Sequence, residues 1–229
     1  MDTSIYEVFA DSHFGGFNDL QLLITAFTHR SYLNEHRKTA AEQNERLEFL
    51  GDAVLELVVT EYLYANYKEP EGVLTNWRSA LVRTESISAA AAQQGFEPLL
   101  RLSRGEKRGS ERARQQILAN CYEAVIGALY LDKGYDAAKD YIQKTLLPSL
   151  EDILHSGSWV DPKSQLQETA QSKEGFTPVY KVLSEEGPDH DKTFIVGVYV
   201  DNKLRGEGTG SSKQAAQVAA AHAALKDYK

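Results

Sequence analysis

One apolar run in this chain carries three carboxylates on a single side, and that combination restricts what the chain can fold into. In Asn44-Glu45-Arg46-Leu47-Glu48-Phe49-Leu50-Gly51-Asp52-Ala53-Val54-Leu55, helical spacing of about 100° per residue sets Glu45, Glu48 and Asp52 on one narrow stripe. The remaining positions (Leu47, Phe49, Leu50, Ala53, Val54, Leu57, Val58) spread almost all the way round the helix. A helix apolar all round is expected to be buried. Buried carboxylates are costly unless paired or metal-bound, and like charges at these spacings repel. The stripe is therefore either a solvated acidic face or the seat of something cationic, and its apolar company favours the second.

A second run, Ile117-Leu118-Ala119-Asn120-Cys121-Tyr122-Glu123-Ala124-Val125-Ile126-Gly127-Ala128-Leu129-Tyr130-Leu131, is again apolar and helical in period, with Asn120 and Glu123 at i,i+3. Gly51 and Gly127 each interrupt a helix interior, at a cost of about 1 kcal/mol against alanine. Close backbone approach of two packed helices would explain both. If the helices face each other, Glu45, Glu48, Asp52, Asn120 and Glu123 converge on one cleft. Oxygen-only donors on rigid helices suit the hard cations Mg²⁺ or Mn²⁺ rather than zinc. Such a site can activate water and neutralise developing phosphate charge.

These two segments resemble ribonuclease III, the first its signature and the second its other catalytic segment. Thr28-His29-Arg30-Ser31-Tyr32, on an early helix, and Arg78-Ser79-Ala80-Leu81-Val82-Arg83, between the acidic helices, support the resemblance in order and spacing. It implies an endonuclease that hydrolyses both strands of double-stranded RNA, leaving 5′-phosphate and 3′-hydroxyl ends with a short 3′ overhang. Processing of precursor rRNA and other structured transcripts is the implied role. By position, Glu48, Asp52 and Glu123 become the metal and catalytic carboxylates, with Glu45 beside them. Glu71, before Gly72, falls where the family has a further cleft glutamate. The resemblance further implies a homodimer with one cleft per strand, in which Phe49 enters a socket on the partner; an ordinary core position is the alternative for that residue. Asn120 departs from the aspartate often found there. Its amide oxygen can still ligate the metal but brings no charge, so weaker metal binding with retained activity is expected.

The chain has 229 residues, of which 42% are hydrophobic and 25% charged, within the range of a globular protein of one or two domains. No apolar stretch approaches a membrane span, and the first residues lack the pattern of a signal peptide. Cys121 is the single cysteine; it reads as packing and fits a reducing, cytoplasmic setting. Net charge is −8, of which residues 1–155 carry −7 (16 Lys+Arg, 23 Asp+Glu) and residues 156–229 carry −1 (9 against 10). RNA binding must then rest on local Lys and Arg placement and on shape, not on a bulk positive field. A basic run from Arg101 through Arg104, Lys107, Arg108, Arg112 and Arg114 is either a solvated loop or a phosphate contact beside the cleft.

Residues 1–155 read as an all-α catalytic domain, 156–160 as a linker, and 161–229 as a small α+β module. Asp161-Pro162 opens a helix to about Ser172; strands follow at 178–184, 193–201 and 203–208, the middle one alternating cleanly at Phe194, Val196, Val198 and Val200. An alanine-rich helix, 212–227, closes the chain. This α-β-β-β-α order resembles a double-stranded-RNA-binding domain, a reader of 2′-hydroxyls and phosphates across successive minor grooves. The resemblance assigns RNA contacts to Ser164, Gln167, Glu168 and Gln171 on the first helix, His190 in the loop Gly187-Pro188-Asp189-His190, and Ser212 and Lys213 at the turn Gly208-x-Gly210-x-Ser212-Lys213. Helix N-termini attract phosphate, but only one lysine stands where the family strings several. A degenerate or protein-binding copy of the module is the alternative.

At the level of the whole chain, the competing reading is a non-catalytic RNA-binding relative, which would have no reason to keep the acidic set together. A di-iron carboxylate bundle wants Glu-x-x-His pairs; Gly51 and Ile126 stand where its histidines would be. A histidine acid–base ribonuclease fails similarly, because neither acidic helix holds a histidine. No small-molecule cofactor is expected.

Overall fold

The computed structural model describes residues 3–36, 42–157, 159–188 and 192–228. They form two compact units, 1–159 and 160–229. The first contains α1 (Ser4–Phe14), α2 (Leu20–Ala26), α3 (Arg30–Glu35), α4 (Glu45–Asn66), α5 (Glu71–Val82), α6 (Thr84–Gln93), α7 (Glu111–Lys133), α8 (Tyr135–Thr145) and α9 (Ser149–Ser156). Trp159, expected in a linker, packs its ring edge-on against Trp77 of α5, with centroids 5.8 Å apart.

The two acidic helices, α4 and α7, form the central pair of this unit. At Gly51 an added Cβ would lie 1.7 Å from the backbone oxygen of Glu123, and at Gly127 it would lie 2.2 Å from that of Leu47. Each glycine thus admits the other helix's backbone, which accounts for two residues that cost helix stability. The pair differs in burial. α7 is enclosed almost all round, through Ile117–Ala119, Cys121, Tyr122 and Ala124–Leu129. α4 was expected to be enclosed too and is not: it buries Leu47, Gly51, Val54, Leu55, Val58, Val59 and Leu63 but leaves Phe49 81% and Leu57 53% exposed. Its apolar girth therefore divides into a core face and a solvent-facing one.

Local hydrogen bonds set the start of α4. Buried Asn44 receives its position from Thr28, whose carbonyl accepts the Asn44 N–H at 2.9 Å, and its side chain donates to the Ala26 carbonyl at 3.1 Å. Arg101, expected in a solvated basic run, is buried. Its guanidinium donates to Thr28 Oγ1 at 3.0 Å and stacks over Tyr32 at 4.3 Å. The exposed part of the basic run begins only at Arg104.

The second unit runs α10 (Pro162–Glu174), β1 (Val179–Glu186), β2 (Thr193–Val200), β3 (Lys203–Gly210) and α11 (Lys213–Ala224). The sheet is antiparallel in the order β1-β2-β3. Asp161 caps α10 by accepting the Ser164 N–H, with Pro162 at the first helical turn. Asp201 and Asn202 turn β2 into β3 at φ of 50° and 59°, the left-handed pair that a two-residue hairpin requires. Leu166, Val196, Val198, Ala216, Ala220, Ala221 and Ala224 form the core. Gly208, expected to end the third strand and open the turn, lies within β3, and Gly210, expected in the turn, is the last residue of that strand. There the backbone of α11 rests on the strand, and a Cβ at Gly208 would lie 2.1 Å from Ala220 N. Small residues on both sides of that contact explain why α11 is so rich in alanine.

Candidate functional site

The glycine-mediated approach of α4 and α7 brings Glu48 and Asp52 from one helix against Glu123 from the other. Glu48 and Glu123 are half-buried, whereas Asp52 and Glu45 are exposed. Burial, together with the nearby Asp52 and Glu48 charges, raises the Glu123 carboxyl to about 8. Burial, Glu45 and Asp52 raise Glu48, while a hydrogen bond from the Asn120 side chain partly offsets them. Asn120 is itself oriented by Gln116, one turn earlier, whose amide donates to Asn120 Oδ1 at 2.7 Å. Sequence reasoning passed over Gln116; its signal is the i,i+4 spacing. Glu48 is therefore the common neighbour of Glu45, Asp52, Asn120 and Glu123, which brings all five expected residues together.

Glu45 stands at the rim. Gln43 donates to its carboxylate at 2.8 Å, and Arg30 lies 3.7 Å away in an exposed ion pair. Among the described residues, ion pairs reach neither Glu48, Asp52 nor Glu123, so the acids crowd one another without a protein cation. Nor do three His, Cys, Asp or Glu side chains close as a ready chelate among the described residues. A partly desolvated carboxylate cluster of oxygen donors, with its protein charge unbalanced, fits a hard divalent cation. Cys121, between Asn120 and Glu123, is fully buried with its thiol pushed up by burial; its Sγ donates to Ala26 O at 3.5 Å, a packing role as expected.

Glu71 is exposed at the start of α5 and lines a different hollow, with Thr60, Tyr64 and Arg78. Glu48, Asp52 and Glu123 do not line that hollow. Phe49 stands beside a hollow of about 790 Å³ walled by Leu22, Leu33, Leu47, Leu50 and Leu131 and by the stems of Glu45 and Arg46. A core position for Phe49 is thereby overturned.

On the second unit, Ser164, Gln167, Glu168 and Gln171 all face solvent along α10. Ser164 Oγ donates to Asp161 at 2.7 Å, and Gln171 donates to Thr177 Oγ1 at 3.1 Å. Ser212 caps α11 by accepting the Ala215 N–H. Lys213 does not point free into solvent: its Nζ lies 2.7 Å from Glu185 Oε1. His190 lies outside the described residues.

Comparison with known proteins agrees with both halves of this description. Residues 19–150 match the ribonuclease-III-like family and residues 162–228 match the double-stranded RNA binding motif. Ribonuclease 3 of Enterococcus faecalis is 46% identical over 211 residues, 92% of this chain and 91% of the relative. That of Latilactobacillus sakei is 45% identical over 214 residues, 93% of each. The solved nuclease domain of ribonuclease III from Campylobacter jejuni, 36% identical, superposes with a TM-score of 0.54 over 60% of this chain and 93% of its own. Family nucleases of this kind use a divalent metal, and the motif in the second unit takes double-stranded RNA as partner. No helix among the described residues is long and apolar enough to cross a membrane. The chain belongs to the ribonuclease III family and is a double-strand-specific endoribonuclease.

Proposed function

We propose that Glu48, Asp52, Glu123 and the amide oxygen of Asn120 hold a divalent cation, Mg²⁺ in the cell with Mn²⁺ as a substitute, and that Glu45 screens the rim of the same cleft. When bound, the cation supplies charge neutralisation at the scissile phosphate and a more acidic water. The observation that carries this reading is the packing of Gly51 against Glu123, which sets half-buried Glu48 and Glu123 beside the exposed Asp52, with no ion pair to any of the three among the described residues. Asp52 and Glu123 take up and release the proton of the attacking water; Glu48 and Asn120 fix the donor geometry. Glu71 stays outside this set within one protomer.

Cleavage leaves 5′-phosphate and 3′-hydroxyl ends. Two clefts, one per strand, require a homodimer. The exposed Phe49 and the apolar hollow beside it form a self-complementary pair of features on the signature helix, as a two-fold contact demands. The second unit holds the duplex through Ser164, Gln167, Glu168 and Gln171 on α10, the His190 loop, and Ser212 and Lys213 at α11. Precursor rRNA and other structured transcripts in the cytoplasm are the substrates.

The test is incubation of the purified chain with long duplex RNA in Mg²⁺, in Mn²⁺ and in EDTA, with the products sized and their ends mapped. Short staggered fragments in either metal and intact RNA in EDTA are expected. A Glu123→Gln protein should bind duplex RNA and cut it slower by several orders of magnitude. Full activity of that variant would show that the cleft lies elsewhere.

A further inference from the structure

Antiparallel register brings Glu185 of β1 opposite Phe194 of β2, and Phe194 opposite Gly210 of β3. Those three residues make one transverse row at the end of the sheet that meets the start of α11. Lys213, the first residue of α11, lies over the Phe194 ring at 5.5 Å. Its Nζ is 2.7 Å from Glu185 Oε1, with the two side chains 56% and 38% exposed. The Lys213 hydrogen bond, aided by the Lys213 and Lys192 charges, holds the Glu185 carboxyl below its ordinary range. The one lysine at the phosphate-facing start of α11 is thus already engaged by an anion of its own chain.

We propose that Glu185 is an affinity-setting residue of the double-stranded-RNA-binding unit, an internal carboxylate that competes with an RNA phosphate for Lys213. This rests on reading the start of α11 as an RNA contact. Both anions approach the same ammonium beside the same helix N-terminus, whose dipole favours either. A phosphate reaching Lys213 must displace the carboxylate or share the lysine with it, so the ion pair subtracts from the contact that Lys213 makes. The chain is acidic overall, at −8, and such a pair keeps its duplex affinity low and weakly salt-dependent. Duplex recognition then leans on the uncharged Ser164, Gln167 and Gln171 of α10.

The experiment is a double-mutant cycle on the full chain in EDTA, where no cut occurs. Binding of a fluorescein-labelled RNA duplex of about 20 base pairs, long enough for the two minor grooves this module spans, is measured by anisotropy for native, Glu185→Gln, Lys213→Gln and the double variant. Freeing an exposed lysine from its partner is expected to tighten binding about two- to five-fold. Its salt dependence should steepen by up to one phosphate's worth, roughly −0.9 in log K against log salt. Lys213→Gln alone should weaken binding less than two-fold, and in that background Glu185→Gln should give no gain. A gain that persists without Lys213 would reflect only the loss of a negative charge and would overturn the competition. Equal affinity of all four proteins would overturn it as well while leaving duplex binding intact. Failure of every variant, native included, to bind the duplex would overturn the RNA-contact reading beneath it.

Discussion

Glu123→Gln offers a test of the cleft that needs no RNA. In the metal-free protein, burial and the Asp52 and Glu48 charges hold the Glu123 carboxyl at about 8 instead of the ordinary 4.5. Below about pH 4.5 the group is protonated whether the chain is folded or not, and it costs nothing. As pH rises from there towards 8 the unfolded chain releases the proton and the folded chain keeps it, so stability falls. Above about 8 the full penalty is present. At face value, 1.36 kcal/mol for each tenfold change in proton affinity gives about 4–5 kcal/mol. The cleft is half open and solvent screens its charges, so we take roughly half, about 2–3 kcal/mol. Glutamine keeps the shape and carries no charge. In EDTA, Glu123→Gln should therefore match the native protein near pH 5 and exceed it near pH 9, by about 5–10 °C in Tm for a unit of this size. Both tryptophans, Trp77 and Trp159, belong to the first unit, so their fluorescence follows its unfolding alone. Added Mg²⁺ should narrow the gap at pH 9 by stabilising the native carboxylates. A difference between the two proteins that stays constant from pH 5 to pH 9 would refute the desolvated cluster.

Three further outcomes follow from the same geometry. Gly51→Ala would place a Cβ 1.7 Å from the Glu123 backbone oxygen; overpacking against backbone should cost about 3 kcal/mol or more, read by urea unfolding, and cleavage should fall with it as the acids separate. Asn120→Asp adds an anion to the donor set, so the Mg²⁺ concentration for half-maximal cleavage should drop, whereas the maximal rate can move either way because tighter ground-state binding is not transition-state binding; an unchanged Mg²⁺ titration would place Asn120 outside the site. Phe49→Glu puts a charge where an 81% exposed phenylalanine faces the proposed partner, so the chain should sediment as a monomer at micromolar concentration while the native chain sediments as a dimer.

What was legible in the sequence is what period and composition encode. Glu45, Glu48 and Asp52 declared themselves because a 3.6-residue repeat leaves only one stripe for them, and Gly51 and Gly127 because a helix interior has no local reason to hold glycine. The alternation of Val196, Val198 and Val200 marked the buried face of β2, all three being fully buried. Features set by pairing across the fold were not legible. Arg101 resembles its exposed neighbours in sequence, and only the contact with Thr28 and Tyr32 buries it. Gly210 read as a turn residue, since nothing local says that the α11 backbone will rest on it. Phe49 shows the boundary most sharply. Hydrophobicity states that a side chain gains by leaving water, not whether its own chain or a second one will cover it. α4 and α7 are both strongly apolar, yet one is enclosed and the other leaves Phe49 and Leu57 outside. Lys213 carries the same lesson for charge: its partner Glu185 lies far off in sequence, and only strand register and the placement of α11 bring the two within 2.7 Å.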